Sequence, residues 1–115
     1  MEEPIIINRG AIMVVPKKPF YDWANSFDQD FIMSENSNND HNVYLIHDDF
    51  VVDNIDDVVK KHWKVIFENE LFGMWLDEER WPQKRTFKMF KEWFDFYISS
   101  MAYDLLNKPI IREQF

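Results

Sequence analysis

The sequence predicts a small α+β domain: a three-stranded sheet with about three helices packed on it, in the order β-α-β-α-α-β. Three observations predict it. The chain has 115 residues, near the commonest size of a single domain. Two short apolar runs, Ala11–Val15 and Val43–Ile46, have the length and β-branched content of strands. Two longer stretches, 55–71 and 81–94, repeat their apolar residues at i, i+3 and i+4.

The first strand is Ala11 to Val15, bounded by Gly10 and Pro16. Its unbroken apolar character suits a strand covered on both faces, and Gly10 marks a bulge or a bend into it. Pro19 then stands where a first helical turn tolerates proline, and Phe20, Trp23, Ala24 and Phe27 follow at helical spacing. That predicts a short helix over 19–27. Residues 34–42, SENSNNDHN, are almost devoid of apolar side chains and read as a flexible polar loop. Val43–Ile46 is the second strand.

Asp53-Asn54 provides a helix cap, with Asp56 and Asp57 in the first turn where they favour the helix dipole. Ile55, Val58, Val59, His62, Trp63, Ile66 and Phe67 form one face of a single long helix. It runs to about Leu71 and ends at Gly73, a C-cap residue. Trp81-Pro82 opens the last helix. Phe87, Phe90, Trp93 and Phe94 lie on its inner side, with Lys84, Lys88 and Lys91 opposite. Residues 95–106 fit a helix or a strand. A strand is preferred, because two short strands need a partner and Ser99-Ser100 favours a helix poorly. Residues 109–115 form a loosely docked tail. The whole of 1–115 reads as one domain, with an expected radius of gyration of roughly 13 Å.

Composition excludes several functions. The chain has no Cys, which removes disulfides, thiol catalysis and Cys-ligated metals, and suits a reducing compartment. It has only 2 Gly, so neither phosphate-binding glycine motif can be built. No GxSxG or HExxH motif occurs. The net charge of −8 is concentrated before residue 58, where three bases face twelve acids. An acidic surface of that kind argues against nucleic acid as a partner. No apolar run approaches the roughly 20 residues that span a bilayer, and MEEP lacks the basic-then-apolar pattern of a signal peptide. The expectation is a cytoplasmic protein without cofactor.

Candidate site residues are few. Trp75, Asp77, Glu78, Trp81 and Arg85 could gather into a charged, aromatic binding pocket, with Arg85 stacked on Trp81 and paired with a carboxylate. The same residues also read as an ordinary helix start. His47, Asp48 and Asp49 form a weak metal candidate, without a second ligand at a telling spacing. His62 falls on the apolar face of the long helix, as a core histidine or a titrating group.

The segments VPKKPFYDW (15–23) and RWPQKRTFKMFKEWF (80–94) resemble recurring segments of small bacterial proteins of uncharacterised function, with patterns VPKxPFxxW and WPxxRTFxxFxEWF. The resemblance implies one compact bacterial cytoplasmic domain and brings no activity or site residue. Three functions follow. The first is a non-enzymatic acidic interaction module, immunity- or antitoxin-like, that covers a basic protein. The second is a small-molecule-binding protein or enzyme with a pocket at Trp75, Trp81 and Arg85. The third is a homo-oligomeric structural protein that uses its aromatic surplus and tail.

Overall fold

The computed structural model describes residues 3–27, 32–37, 40–50 and 54–114. Strands β1 (Ile5–Ile7) and β2 (Gly10–Pro16) lead into helix α1 (Lys18–Asn25) and strand β3 (Val43–Ile46). Helices α2 (Ile55–Lys60), α3 (Trp63–Met74) and α4 (Phe87–Trp93) follow, then strands β4 (Phe94–Ser99) and β5 (Ala102–Asp104). The class is α+β, and the three-stranded sheet is present in the order β3-β2-β4, antiparallel throughout. Residues 95–106 are mostly strand, as preferred.

Strand alternation sets the core. On β2, Gly10, Ile12, Val14 and Pro16 are buried, while Ala11, Met13 and Val15 are half-buried. The ladder aligns Ile12 with Tyr44 and Ile98, and Val14 with Phe96, on the inner face. Four helices cover that face with Phe20, Val59, Ile66, Phe67, Leu71 and Phe90, each almost fully buried. Aromatic rings meet edge-on or tilted at its centre. Phe67 lies 5.8 Å from Phe90 and 5.5 Å from Phe94, between centroids. Such pairs add about 0.5–1.5 kcal/mol each beyond their buried area.

The structure corrects several expectations. The sheet is covered on one face only, so the apolar run of β2 reflects an inner face that is buried and an outer face that is apolar yet open. The long helix is two. The amides of Lys61 and His62 bond to the carbonyls of Val58 and Val59, three residues back, at 3.3 and 2.9 Å. This tighter winding ends α2, and α3 restarts at His62, whose carbonyl accepts from Ile66. The change of winding leaves Ile55 exposed. Asn54 is the N-cap residue of α2 but makes no side-chain cap bond, and Asp53 lies outside the described residues. Gly73 sits inside the last turn of α3, and no glycine has positive φ, so it is not a left-handed cap. The last helix starts at Phe87 rather than at Trp81-Pro82. Thr86 caps it, its hydroxyl accepting from the Met89 amide at 3.1 Å.

β1 was not expected, and the strand expected over 95–106 is broken into β4 and β5. β1 pairs antiparallel with β5, with Ile6 opposite Tyr103. This ribbon prolongs the β2–β4 pair through a bulge. Three residues separate Ile7 from Ala11, whereas two separate Ala102 from Ser99. β3 stops opposite Gly10, so the ribbon extends beyond it as an arm. From Phe94 to Asp104 the chain covers on the order of 33 Å at about 3.3 Å per residue. The arm and the exposed residues 105–114 explain a radius of gyration of 16.1 Å and a longest dimension of 49 Å. Both exceed a compact fold of this length.

Candidate functional site

The segment between α3 and α4 carries the predicted binding residues, and the structure spends most of their polar groups internally. Trp81 is only 7% exposed. Its indole N–H donates to the Trp75 carbonyl at 2.8 Å. The Trp75 indole donates to the Ala24 carbonyl at 3.0 Å, and the Trp23 indole to the Arg80 carbonyl at 2.8 Å. Three indoles thus stitch this segment to itself and to α1. Arg85 lies over the Trp81 ring at 5.8 Å, the expected stacking. Its carboxylate partner is Glu68 of α3, at 3.0 Å, and its other terminal nitrogen donates to the Pro82 carbonyl. Asp77 accepts from the Glu79 amide at 3.0 Å and stands 3.9 Å from Arg80. Arg80, not singled out in the sequence, lies over Trp75 at 4.6 Å. Glu78 is exposed, and its carbonyl accepts from the Trp81 amide. These contacts describe a braced connection more than an open pocket.

A second constellation has no counterpart in the sequence reading. Glu70 is 6% exposed, the one charged residue in the core of the described residues. Its Oε2 accepts a 2.7 Å bond from the Asn42 amide and a short bond from the Tyr44 hydroxyl. Asn69 donates to the same hydroxyl at 2.9 Å. A cavity of about 130 Å³ adjoins Glu70, with His41, Asn42, Phe20 and Met74 among its lining residues. The buried Nδ1 of His41 has no hydrogen-bond partner. One signal could have found Glu70. Trp63, Ile66, Phe67, Leu71 and Met74 make a helical stripe, and Glu70 occupies an inward position within it. An acid there must be paired or hydrogen-bonded.

Burial raises the ionisation of Tyr44 well above its ordinary value of 10.0. The Asn69 amide opposes the shift, while the hydrogen bond and charge of Glu70 reinforce it. A phenol whose folded pKa is raised contributes stability that is complete below its unfolded pKa and is lost as pH climbs through and beyond it. An ultraviolet titration should therefore find the Tyr44 phenol still protonated in folded protein above pH 10, ionising together with unfolding. Tyr44→Phe should abolish that late step and cost about 1–3 kcal/mol, because Glu70 loses a donor. A wild-type titration curve that matches that of Tyr44→Phe above pH 10, with no late step, would contradict it.

The other sequence candidates stay apart. His47, Asp48 and Asp49 are exposed, and no group of three or more His, Asp or Glu among the described residues could hold a metal ion. His62 stands at the α2–α3 break, half-buried. Burial lowers its pKa, and the charges of Lys61 and His47 lower it further.

The outer face of the sheet is the largest uncommitted feature. Its rows are Leu45–Ala11–Ser99 and Val43–Met13–Tyr97. Leu45 and Tyr97 are 51% and 58% exposed. The arm beyond it exposes Ile6 and Tyr103 to a similar degree, and Leu105, Leu106, Ile110 and Ile111 more. The fold and its surface therefore define a small α+β domain with an aromatic-rich core and an uncovered apolar sheet face. Comparison with known family models, curated proteins and solved structures finds no match. No helix of the described residues is long and apolar enough to cross a membrane.

Proposed function

We propose that this protein is a non-enzymatic interaction module of the bacterial cytoplasm. One observation carries the reading: the chain has more accessible surface than its mass needs. It exposes 8912 Å², against about 6,700 Å² expected of a self-contained monomer of this size, a surplus of about 2,200 Å². A standard interface takes about 800 Å² from each partner. The polar groups that could have formed a pocket at Trp75, Trp81 and Arg85 are largely engaged internally, which weighs against the small-molecule reading. The absence of Cys supports a reducing compartment.

The finer reading is immunity- or antitoxin-like, with a basic protein as the partner. Charge supports it. Asp48, Asp49 and Asp57 are exposed around the connection from β3 to α2, and the chain's net charge is −8. Complementary charge speeds encounter and selects partners. Affinity capture from the native cell should return one stoichiometric basic protein, released by raised salt. Capture should fall at least tenfold when Asp48, Asp49 and Asp57 are changed together to Asn. Capture of no basic protein, or capture indifferent to both salt and the Asn changes, would remove the reading.

A further inference from the structure

We infer that the outer face of the sheet and its arm are the interface of a closed homodimer, with a second copy of this chain as the occupant. The inference rests on the reading that the surplus surface is an interface, and it assigns that surface to self-association. The basic partner is left to the acidic remainder of the surface.

Three features select a second copy. The first is area. A surplus of about 2,200 Å² per chain, or at most about 4,400 Å² from two chains, lies in the range of obligate homodimers, whose interfaces bury roughly 2,000–5,000 Å² in total and are the most apolar class. The second is charge. On the outer sheet face the described acid is Asp95, which stands 3.9 Å from the ammonium of Lys17. In the arm and the residues that follow it, Glu3, Asp104 and Glu113 are balanced by Arg9, Lys108 and Arg112. A protein of net charge −8 repels its own copy over most of its surface. On this surface each of those acids is matched by a base, so a basic protein would find little net complement there. The third is the arm itself. A two-stranded ribbon is marginal in water on its own, and its open edges invite another strand. A two-fold axis lets equivalent strands or faces meet, the commonest symmetry of soluble oligomers, and closes the assembly at two.

Light scattering after size exclusion, over 1–100 μM, tests the inference on the whole chain. The wild type should have the mass of two chains. Leu45→Lys with Tyr97→Lys on the sheet face, and Ile6→Lys with Tyr103→Lys on the arm, place charge on side chains about half exposed in the isolated chain. Either pair should return the mass to one chain with an unchanged far-ultraviolet circular dichroism spectrum. Should a lysine pair fail to fold, serine at the same positions replaces it. A wild type with the mass of one chain throughout overturns the inference. So does a dimer that survives both pairs, or a mass that grows past two chains. The two proposals fail separately. A monomer that still captures a basic protein sinks only the dimer, and a dimer that captures none sinks only the partner.

Discussion

Trp81→Ala should lose about 3–5 kcal/mol of folding stability, the range for truncating a buried aromatic. Trp81 belongs to the hydrophobic core cluster, so its removal opens a void beside packed aromatic rings. The same change strands the Trp75 carbonyl, which accepts the Trp81 indole, and takes away the ring beneath Arg85. Trp81→Phe is the informative companion. It keeps most of the apolar volume and deletes the donor, so its cost should fall to about 0.5–1.5 kcal/mol. Urea unfolding of the three proteins measures both numbers. A Trp81→Ala protein as stable as the wild type would return this residue to the candidates for a surface binding site. Because alanine at 81 threatens the fold, Arg85, half-buried at the edge, is the better position at which to look for lost binding.

Gly10→Ala should cost about 1–3 kcal/mol by overpacking, and Gly10→Val more. A β-carbon at this position would lie 2.6 Å from a ring carbon of Phe50, 2.9 Å from the Ser99 carbonyl oxygen and 3.0 Å from that of His47. The ring can swing away. The two carbonyls belong to backbone on either side of β2 and can yield only if the sheet shifts. The requirement is one of space, since Gly10 does not adopt positive φ. Substitution to alanine also removes roughly 0.5–1 kcal/mol of glycine's entropic cost, which partly offsets the clash. Thermal denaturation should place the alanine variant several degrees below the wild type. An unchanged midpoint would mean that the sheet tolerates the shift.

Much of this architecture was legible. Val43–Ile46 is legible to the residue, because a four-residue apolar run with polar flanks has few other uses. Phe87, Phe90 and Trp93 fell inward and Lys88 and Lys91 outward, as a 3.6-residue period requires, while Phe94 is buried as the first residue of β4 and Lys84 is exposed before the helix begins. Other features leave weaker marks. The split between α2 and α3 has neither Gly nor Pro, and it consists of two amides that reach back three residues in place of four. The true start of α4 is marked by Thr86, a quieter signal than Trp81-Pro82. The candidate site was the least legible part. Which carbonyl each indole meets, and that Arg85 pairs with Glu68 rather than Asp77 or Glu78, depends on how α1 and α3 cross the segment. Glu70 was visible as one acid in an apolar stripe, but its donors lie on residues 42 and 44, far away in sequence. The outer face of β2 could not be separated from the inner one, because both are apolar and helices cover only one.

The central place of β2 has a consequence for how the chain folds. Its two ladder neighbours are separated in sequence by almost half the chain, one at 43–46 and the other at 94–99. Closing the second ladder joins residues some 80 positions apart, and contacts of that range slow folding more than local ones. During synthesis, the apolar run of β2 has one partner strand until residue 99 has emerged, and β1 has none until β5 follows. Over that interval the segment 5–16 keeps one edge or both edges open, an isoleucine- and valine-rich stretch of the sort that aggregates between chains. Residue 99 completes the three-stranded sheet, and the exposure ends only when β5 has followed it.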